Sequence, residues 1–297
     1  MKRSPETIGF VDIGLMGHGM ARNIALKGYP LTVIAHRNRA PLDDLVANSA
    51  SEAASLPALA SASTIIFLCL TGAPEVAAVV AALKPGLAVG SVIVDCSTSD
   101  PTVTLRLAAE LAAIGVDLAD APLSRTPADA WAGTLDCMVG ADPAVFARIQ
   151  PVIATWASKI VHIGGVGDGH KMKLLNNFIS LGYGALYAEA LTLARKVGIP
   201  VETFDSVIRG GRMDCGFYQT FMGYALEGNR EAHRFTLSNA LKDLRYVESL
   251  ANSATLTTDL ASAVKNSYAL AVAGGGSGPE DYVPHLPDFI ARANGMK

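Results

Sequence analysis

The segment KMKLLNN carries a lysine and two asparagines, at Lys173, Asn176 and Asn177. Residues four apart on a helix share a face, so Lys173 and Asn177 would project together from an otherwise apolar stretch. Because burial disfavours a charged ammonium, a lysine held there could exchange protons near neutral pH. The alternative is that this polar stripe faces solvent near the start of the helix. The pair therefore indicates either a proton-transfer site or a hydrated helix face.

The segment VDIGLMGHGMARN has the glycine spacing of a phosphate-binding turn. Such a turn needs glycine at a tight bend, glycine where the backbone meets a pyrophosphate, and a small residue where helix packs on strand. Gly14 and Gly17 fill the second and third positions, whereas Asp12 stands at the first. The alternative is an ordinary strand-to-helix turn. We predict dinucleotide contacts along this turn, at Gly14, Leu15, Met16 and Gly17.

The segment AHRNRA follows the second predicted strand, where a dinucleotide-binding fold reads the ribose 2′ substituent. An acid there would accept from the ribose hydroxyls of NAD, and an arginine would accommodate the phosphate of NADP. Arg37 and Arg39 occupy this corner, and along the chain the next carboxylate is Asp43. The pattern predicts that NADP is preferred and NAD possible, with Arg37 and Asn38 as contacts. A solvated basic turn is the alternative.

The loop DAPLSRTP places Arg125 between Ser124 and Thr126. A guanidinium is a planar fork that binds the oxygen pairs of carboxylate, sulfonate or phosphonate groups. We predict that Arg125 holds the acidic group of a small anionic substrate, with Thr126 beside it in the same site. The alternative is that Arg125 turns outward or pairs with a neighbouring aspartate such as Asp129.

The alternation of strands and helices indicates what must position these groups. Short β-branched runs alternate with Ala- and Leu-rich helical stretches from Thr7 to Gly164, which predicts an α/β fold with a parallel sheet covered on both faces. From about Asp168 the pattern is helical. The first helix, over about 168–197, would extend roughly 45 Å. We predict a Rossmann-type doubly wound domain over 1–165 and an all-helical substrate and oligomerisation domain over 166–297, joined by this long interdomain helix.

Composition excludes several classes of partner. The chain has 297 residues, of which 50% are hydrophobic and 17% charged, enough for a large core and an oligomer interface. A net charge of −3 argues against nucleic acid and anionic membranes. No apolar run reaches the roughly 18 residues of a membrane span. The 4 cysteines are widely separated, as is typical of a reducing compartment. We expect a cytoplasmic homodimer or homotetramer without a metal site.

These motifs occur together in the order of one enzyme family. The sequence resembles the β-hydroxyacid dehydrogenases, which include 3-hydroxyisobutyrate dehydrogenases and tartronate semialdehyde reductases, over almost the whole chain. The resemblance is carried by the turn at 14–23, DCSTSDP at 95–101, DAPLS at 120–124, GTL at 133–135, KLLNN at 173–177 and KD at 242–243. Two positions depart from the family pattern, which has glycine where this chain has Asp12 and Gly-Gly where it has Arg125-Thr126.

The resemblance implies an NAD(P)-dependent oxidoreductase that interconverts a short 3-hydroxy acid and its semialdehyde. Lys173 would protonate the carbonyl oxygen and accept that proton in the reverse oxidation. Asn177 would position the substrate oxygen or carboxylate, and Ser124 would hydrogen-bond its acid group. Lys242 would reach toward the nicotinamide and the substrate.

The resemblance also leaves alternatives open. Leu70 and Thr98 are expected beside the dinucleotide. The R-T-P loop is similar to that of sulfolactaldehyde reductases, so a sulfolactaldehyde or succinic semialdehyde reductase is an alternative. Imine reductases typically lack the lysine, so Lys173 argues against them. A different class is a non-catalytic dinucleotide-binding protein, in which Asp12 would mark a degenerate site.

Overall fold

The computed structural model describes residues 6–34 and 38–296. The chain divides into two compact units, residues 1–173 and 174–297. The first unit carries the sheet and the second is helical.

The sheet of the first unit has nine strands within the described part of the chain. They are β1 (Ile8–Val11), β2 (Leu31–Val33), β3 (Ser51–Glu52), β4 (Ile65–Leu68), β5 (Val92–Asp95), β6 (Asp117–Asp120), β7 (Leu123–Ser124), β8 (Leu135–Gly140) and β9 (Ala157–Gly164).

The strand order is β3-β2-β1-β4-β5-β6-β8-β7, with β9 paired to β8. Pairing is parallel from β3 to β6, which confirms the predicted doubly wound sheet. Beyond β6 the sheet is mixed, because β8 runs antiparallel to both β6 and β7. The sequence did not predict this extension, since a strand as short as β7 carries no periodicity.

Seven helices pack around this sheet in the described residues. They are α1 (Gly17–Leu26), α2 (Ala40–Ala47), α3 (Leu56–Ser61), α4 (Ala73–Leu83), α5 (Pro101–Ala112), α6 (Pro127–Ala132) and α7 (Pro143–Ile153). From α2 to α7, each helix has a proline in its first two positions, where the missing N–H costs no hydrogen bond.

Successive residues of a strand face opposite sides of the sheet, and both sides are buried. In β4, Ile65 and Phe67 join the core under α1, α2 and α7, whereas Ile66 and Leu68 join the core under α3, α4 and α5. The prediction of a sheet covered on both faces is confirmed.

The long helix α8 covers Asp168–Lys196, within one residue of the predicted end. The remaining helices belong to the second unit: α9 (Val201–Ile208), α10 (Gly216–Glu227), α11 (Leu237–Ser253), α12 (Asp259–Ala273) and α13 (Leu286–Ala293). Their core includes Leu181, Tyr218, Leu244 and Tyr268. The Tyr268 hydroxyl donates to the Leu181 carbonyl at 3.0 Å, so its polar end is satisfied inside the core.

Three further findings concern the described residues as a set. Their helices include none that combines the length and apolarity needed to cross a membrane. The four cysteines are unpaired thiols, with Cys96 and Cys137 buried. The described His, Cys, Asp and Glu side chains form no group of three that could hold a metal ion.

Candidate active site

The turn between β1 and α1 has backbone geometry that normally selects glycine. Asp12 lies in the left-handed region at φ 67°. A Cβ on Gly17 would overlap the Asp12 carbonyl oxygen, so the helix can approach the strand only with glycine at that position. The Asp12 carboxylate lies beside Gly14, because a Cβ there would be 3.4 Å from Asp12 Oδ1. The turn therefore has the tight shape that the sequence predicted, with a carboxylate inside it.

The start of α1 is not closed by a side chain. Met16 is its N-cap residue and makes no side-chain cap hydrogen bond, and the first turn contains no acidic residue. Helix starts carry unsatisfied N–H donors and a partial positive charge, which suits a pyrophosphate. Leu15 is exposed beside them. These features fit the pyrophosphate of a dinucleotide. The negative charge of Asp12 opposes its binding.

The corner after β2 contains an acid, Glu52, that is not adjacent to this corner in the sequence. Glu52 in β3 binds Arg39 through both carboxylate oxygens, at 2.9 and 3.0 Å, and Asp43 contacts the same guanidinium at 3.2 Å. The hydrogen bond from Arg39 lowers the pKa of Glu52. Asn38 Oδ1 accepts from the Ala40 backbone, which begins α2. Arg37, the other basic residue predicted here, lies outside the described residues.

The loops after β4 and β5 are tied to each other. The Leu70 backbone N–H donates to Ser97 Oγ at 2.9 Å, and the Ser97 N–H donates to Asp95 Oδ1 at 2.9 Å. Leu70 and Thr98, both predicted to contact the dinucleotide, are half-buried in these loops. Leu70 and Thr98 therefore lie in two neighbouring loops at the carboxyl edge of the sheet, and the hydrogen bond from Leu70 to Ser97 joins these loops.

A buried network anchors the first turn of α8 to the same edge. His170 is fully buried, with Nε2 donating to the Ser97 carbonyl at 3.1 Å and Nδ1 2.8 Å from Thr104 Oγ1. Asp120 accepts the backbone N–H groups of Gly167 and His170 at 2.5 and 2.6 Å. Burial raises the pKa of Asp120. Lys173, half-buried, stands one turn after this anchor.

Sequence reasoning missed the roles of Asp120 and His170. Asp120 opens the DAPLS motif, and His170 precedes Lys173 by three residues, so both lay within segments already singled out. The available signal was a polar residue at the end of a buried strand and another at a helix start.

Asn177 and Lys242 come together around Asp243 in the second unit. Asn177 is buried, and its Nδ2 donates to Asp243 Oδ2 at 2.7 Å. Lys242 Nζ is 3.0 Å from Asp243 Oδ1 in an ion pair that does not count as a hydrogen bond. Asp243 is almost fully buried, so it orients both groups. The sequence singled out the Lys-Asp pair but gave the aspartate no role.

Arg125 lies at φ 89°, in the left-handed region, at the end of β7. Its Nε is 3.0 Å from Asp136 Oδ1 and its Nη1 is 3.9 Å from Asp129 Oδ1. The side chain is 48% exposed. Asp136 lies there because it pairs with Ser124 across β7 and β8. The structure thus shows a carboxylate pairing for Arg125, with Asp136 nearer than the predicted Asp129.

Thr126 begins α6 and closes its N-terminus. Its Oγ1 accepts from the Asp129 N–H, and the Asp129 carboxylate accepts in return from the Thr126 N–H at 3.1 Å. This reciprocal arrangement is a capping box. The Thr126 hydroxyl lowers the pKa of Asp129. The structure therefore gives Thr126 a helix-capping role, and its predicted contact with substrate remains a prediction.

Comparison with known proteins places the chain in a family. Residues 7–164 match the NAD binding domain of 6-phosphogluconate dehydrogenase, and residues 167–283 match the NAD-binding domain of NADP-dependent 3-hydroxyisobutyrate dehydrogenase. A 2-(hydroxymethyl)glutarate dehydrogenase from Eubacterium barkeri is 38% identical over 68% of this chain and 67% of its own length. The 3-sulfolactaldehyde reductase of Escherichia coli is 29% identical over 90% of this chain and 91% of its own.

Among solved structures, the 3-hydroxyisobutyrate dehydrogenase of Mycobacterium tuberculosis with L-serine superposes with a TM-score of 0.84. It is 24% identical and covers 95% of this chain and 99% of its own, which supports the fold. Both halves of the chain match nicotinamide-dinucleotide-binding models, and its relatives are dehydrogenases and reductases. The chain therefore belongs to the β-hydroxyacid dehydrogenase family of NAD(P)-dependent oxidoreductases.

Proposed function

We propose that this oxidoreductase interconverts a short 3-hydroxy acid and its semialdehyde, with NADP preferred and NAD possible. The observation that carries the proposal is the buried pair of Asn177 and Asp243, with Lys242 half-buried beside Asp243 and Lys173 one helical turn before Asn177 on α8. Burying an amide and a carboxylate together is costly unless they are paired, as they are here. The arrangement holds a donor amide and an ammonium in fixed positions.

A nicotinamide dinucleotide bound by this chain would supply or accept the hydride. Lys173 gives a proton to the substrate carbonyl oxygen during reduction and takes it back during oxidation. The Asp120 and His170 network fixes the first turn of the helix that carries Lys173. Asn177, oriented by Asp243, binds the oxygen atoms of the substrate, and Lys242, beside the same carboxylate, reaches toward the nicotinamide and the substrate. Dinucleotide contacts are assigned to the residues at 14–17, Leu70 and Thr98.

The acid group of the substrate is assigned to Ser124 and Arg125. Arg125 is half-exposed, and Asp136 contacts its Nε, so the ion pair orients the guanidinium. A sulfonate is the second candidate for this group, because an arginine fork matches its oxygen pairs and an E. coli relative is a 3-sulfolactaldehyde reductase.

The preference for NADP rests on Arg37 and Asn38, since Glu52 and Asp43 already pair with Arg39. The change from sheet to helices near residue 165 supports the proposed boundary between residues 165 and 166, although the two compact units divide later, after Lys173. We assign the protein to the cytoplasm on the basis of its four unpaired cysteines.

An apolar stripe on α8 supports a homodimer or homotetramer. Large hydrophobic side chains on this helix are exposed at spacings of three, four and seven, at Leu175, Ile179, Tyr183, Leu186 and Leu193. Such spacing places them along one face, and a contiguous exposed apolar face is typical of an interface between subunits.

Consumption of NADPH and NADH by purified protein tests the function over semialdehydes with carboxylate or sulfonate tails. Lys173→Met is expected to lower kcat by about 10²- to 10⁴-fold, the usual contribution of a general acid. Lys171→Met is the matched control, because Lys171 lies on the same helix but pairs with Asp168 at 2.8 Å. Turnover that survives Lys173→Met contradicts the assigned acid. If NADPH binds and no semialdehyde consumes it, the chain is a non-catalytic binding protein.

A further inference from the structure

Asn23 on α1 makes a contact that the proposed chemistry does not use. Its Nδ2 donates to the Ala130 carbonyl at 2.9 Å and approaches the Trp131 carbonyl at 3.2 Å, both in α6. The same nitrogen reaches Gly19 O in its own helix at 2.9 Å. The last carbonyls of a helix have no partner within the helix. Asn23 therefore satisfies the end of α6 from a neighbouring helix.

The two helices touch backbone to backbone at this point. A Cβ on Gly19 would lie 2.6 Å from Ala130 C and from Trp131 N, which real Cβ atoms do not tolerate. Gly133 ends α6 in the left-handed region at φ 73°. Any side chain at position 19 would push α6 away from α1, so the contact depends on glycine as well as on Asn23.

The outer edge of the contact is aromatic. Arg22 Cζ lies 4.4 Å from the centre of the Trp131 ring, and the His18 ring meets it edge-on at 5.2 Å between centroids. Residues 18, 19, 22 and 23 share one face of α1, because they are one turn apart in two pairs. These four residues of α1 therefore line its contact with α6, and His18 also binds Asp44 of α2 at 2.8 Å.

Each of the two helices begins at a segment with a proposed ligand. The start of α1 is the open turn at 14–17, and α6 follows directly on Ser124 and Arg125. A six-residue helix closed by a capping box is a short, stiff element. Holding its C-terminal end on α1 therefore limits where the loop at its N-terminal end can move.

We propose that Asn23 is a positioning residue. It fixes the position of the substrate loop, at Ser124 and Arg125, relative to the cofactor turn, at residues 14–17. Dinucleotide binding at the turn therefore strengthens substrate binding at the loop. This inference rests on the proposed function. Asn23 acts through α6 and touches neither ligand.

Calorimetry on the full-length protein tests the coupling. The 3-hydroxy acid of the best semialdehyde is titrated with and without saturating NADP⁺, and NADP⁺ is titrated alone. In the wild type, NADP⁺ should lower the Kd of the hydroxy acid about tenfold, so that the ratio of Kd without NADP⁺ to Kd with it is about ten, a usual coupling between sites. Asn23→Ala and Gly19→Ala should bring that ratio close to one while changing NADP⁺ affinity less than about twofold. Asn23→Asp, which keeps the shape but faces carbonyls with a carboxylate, should behave like Asn23→Ala.

Asn48→Ala is the matched control, since Asn48 makes the same kind of bond within its own helix, to Asp44 O at 2.8 Å, and is exposed. It should leave the ratio unchanged. A merely structural role predicts instead that the Asn23 variants weaken both ligands by the same factor. That result, or an unchanged ratio, overturns the proposal.

Hydrogen exchange separates this inference from the proposed function, because it needs only NADP⁺. Amides of residues 123–134 should exchange more slowly in the wild type when NADP⁺ is added, and this protection should be lost in Asn23→Ala. Protection that is absent in the wild type, or persists in Asn23→Ala, overturns the coupling. If the variants do not fold, the wild-type measurement decides alone. Protection without any semialdehyde turnover would reject the proposed function and keep the coupling.

Discussion

The turn before α1 and the loop before α6 differ in how they prepare for an anion. Each contains a charged residue in the left-handed region, Asp12 at φ 67° and Arg125 at φ 89°. The helix after Asp12 starts without a side-chain cap, whereas the helix after Arg125 starts with a complete capping box. At the first site no side chain accepts an N–H group of the helix start, whereas at the second the N–H groups of Thr126 and Asp129 are accepted by side chains.

The difference indicates two strategies for binding negative charge. The turn before α1 offers backbone donors, and a side chain there can only obstruct or repel. At the loop before α6 the capping box occupies the helix start, so recognition of an anion must come from side chains such as Ser124 and Arg125. A positive φ costs a non-glycine residue about 1–2 kcal/mol, so both departures from glycine oppose stability.

Of the changes that test this comparison, the largest effect is expected at the loop before α6. Arg125→Gly should raise KM for the best acid substrate roughly 10- to 100-fold, the equivalent of one lost hydrogen bond to a charged group. It should also raise the free energy of unfolding by about 1 kcal/mol, because the backbone strain is relieved. Steady-state kinetics and urea unfolding measure the two. Arg125→Lys keeps the charge without the fork, so it separates the effect of charge from that of geometry. An unchanged KM in Arg125→Gly would mean that Arg125 forms only a surface ion pair.

The opposite sign is expected at the cofactor turn. Asp12→Gly should lower the Kd for NADPH about five- to tenfold, because a partly screened negative charge leaves the pyrophosphate site. Asp12→Asn removes the charge and keeps the side chain, so it separates repulsion from strain. Ser49→Gly is the control, since Ser49 has φ 83° and is exposed. It should stabilise the fold without altering NADPH binding. Weaker binding by Asp12→Gly would mean that the carboxylate has a useful contact.

The capping box should show itself in acid. The hydrogen bond from Thr126 lowers the pKa of Asp129, so its carboxylate stabilises the folded state above the ordinary aspartate pKa. That contribution disappears as the pH falls through the lowered value. Asp129→Asn should therefore cost about 0.5 kcal/mol at neutral pH, and the gap to the wild type should close in acid. Thermal unfolding across this range measures it, and a constant gap would rule out the charge as its origin.

The smallest effect concerns the corner after β2. Glu52→Gln weakens the bidentate pair with Arg39, which frees a guanidinium near the proposed 2′-phosphate. The ratio of Kd for NADH to Kd for NADPH should rise by about two- to threefold, since exposed pairs contribute little. Asp43→Asn, which removes a single contact to the same arginine, should change it less. An unaltered ratio would mean that Arg39 does not contribute and that the preference for NADP depends on Arg37 and Asn38.

The sequence predicted features that repeat, and it missed contacts that depend on strand pairing. The β-branched runs of β1, β4 and β5 and the helical stretch of α8 follow from patterns that many residues share. Glu52 was missed because it is distant along the chain and reaches Arg39 only where β3 pairs with β2. Asp136 was missed beside Arg125 for the same reason, through the register of β7 and β8.

The burial of the thiols limits their chemistry in the first unit. Burial, followed by nearby Asp12 and Asp95, raises the pKa of Cys69 to about 12, and burial also raises the pKa of Cys96 and Cys137. Thiolates, not thiols, add to carbonyl carbons. Cys69 and Cys96 end the strand regions that lead into the Leu70 and Thr98 loops, yet they stay protonated at physiological pH. Under the proposed function, an aldehyde bound at this edge would meet Cys69 and Cys96 as thiols, which disfavours thiohemiacetal formation with these two side chains.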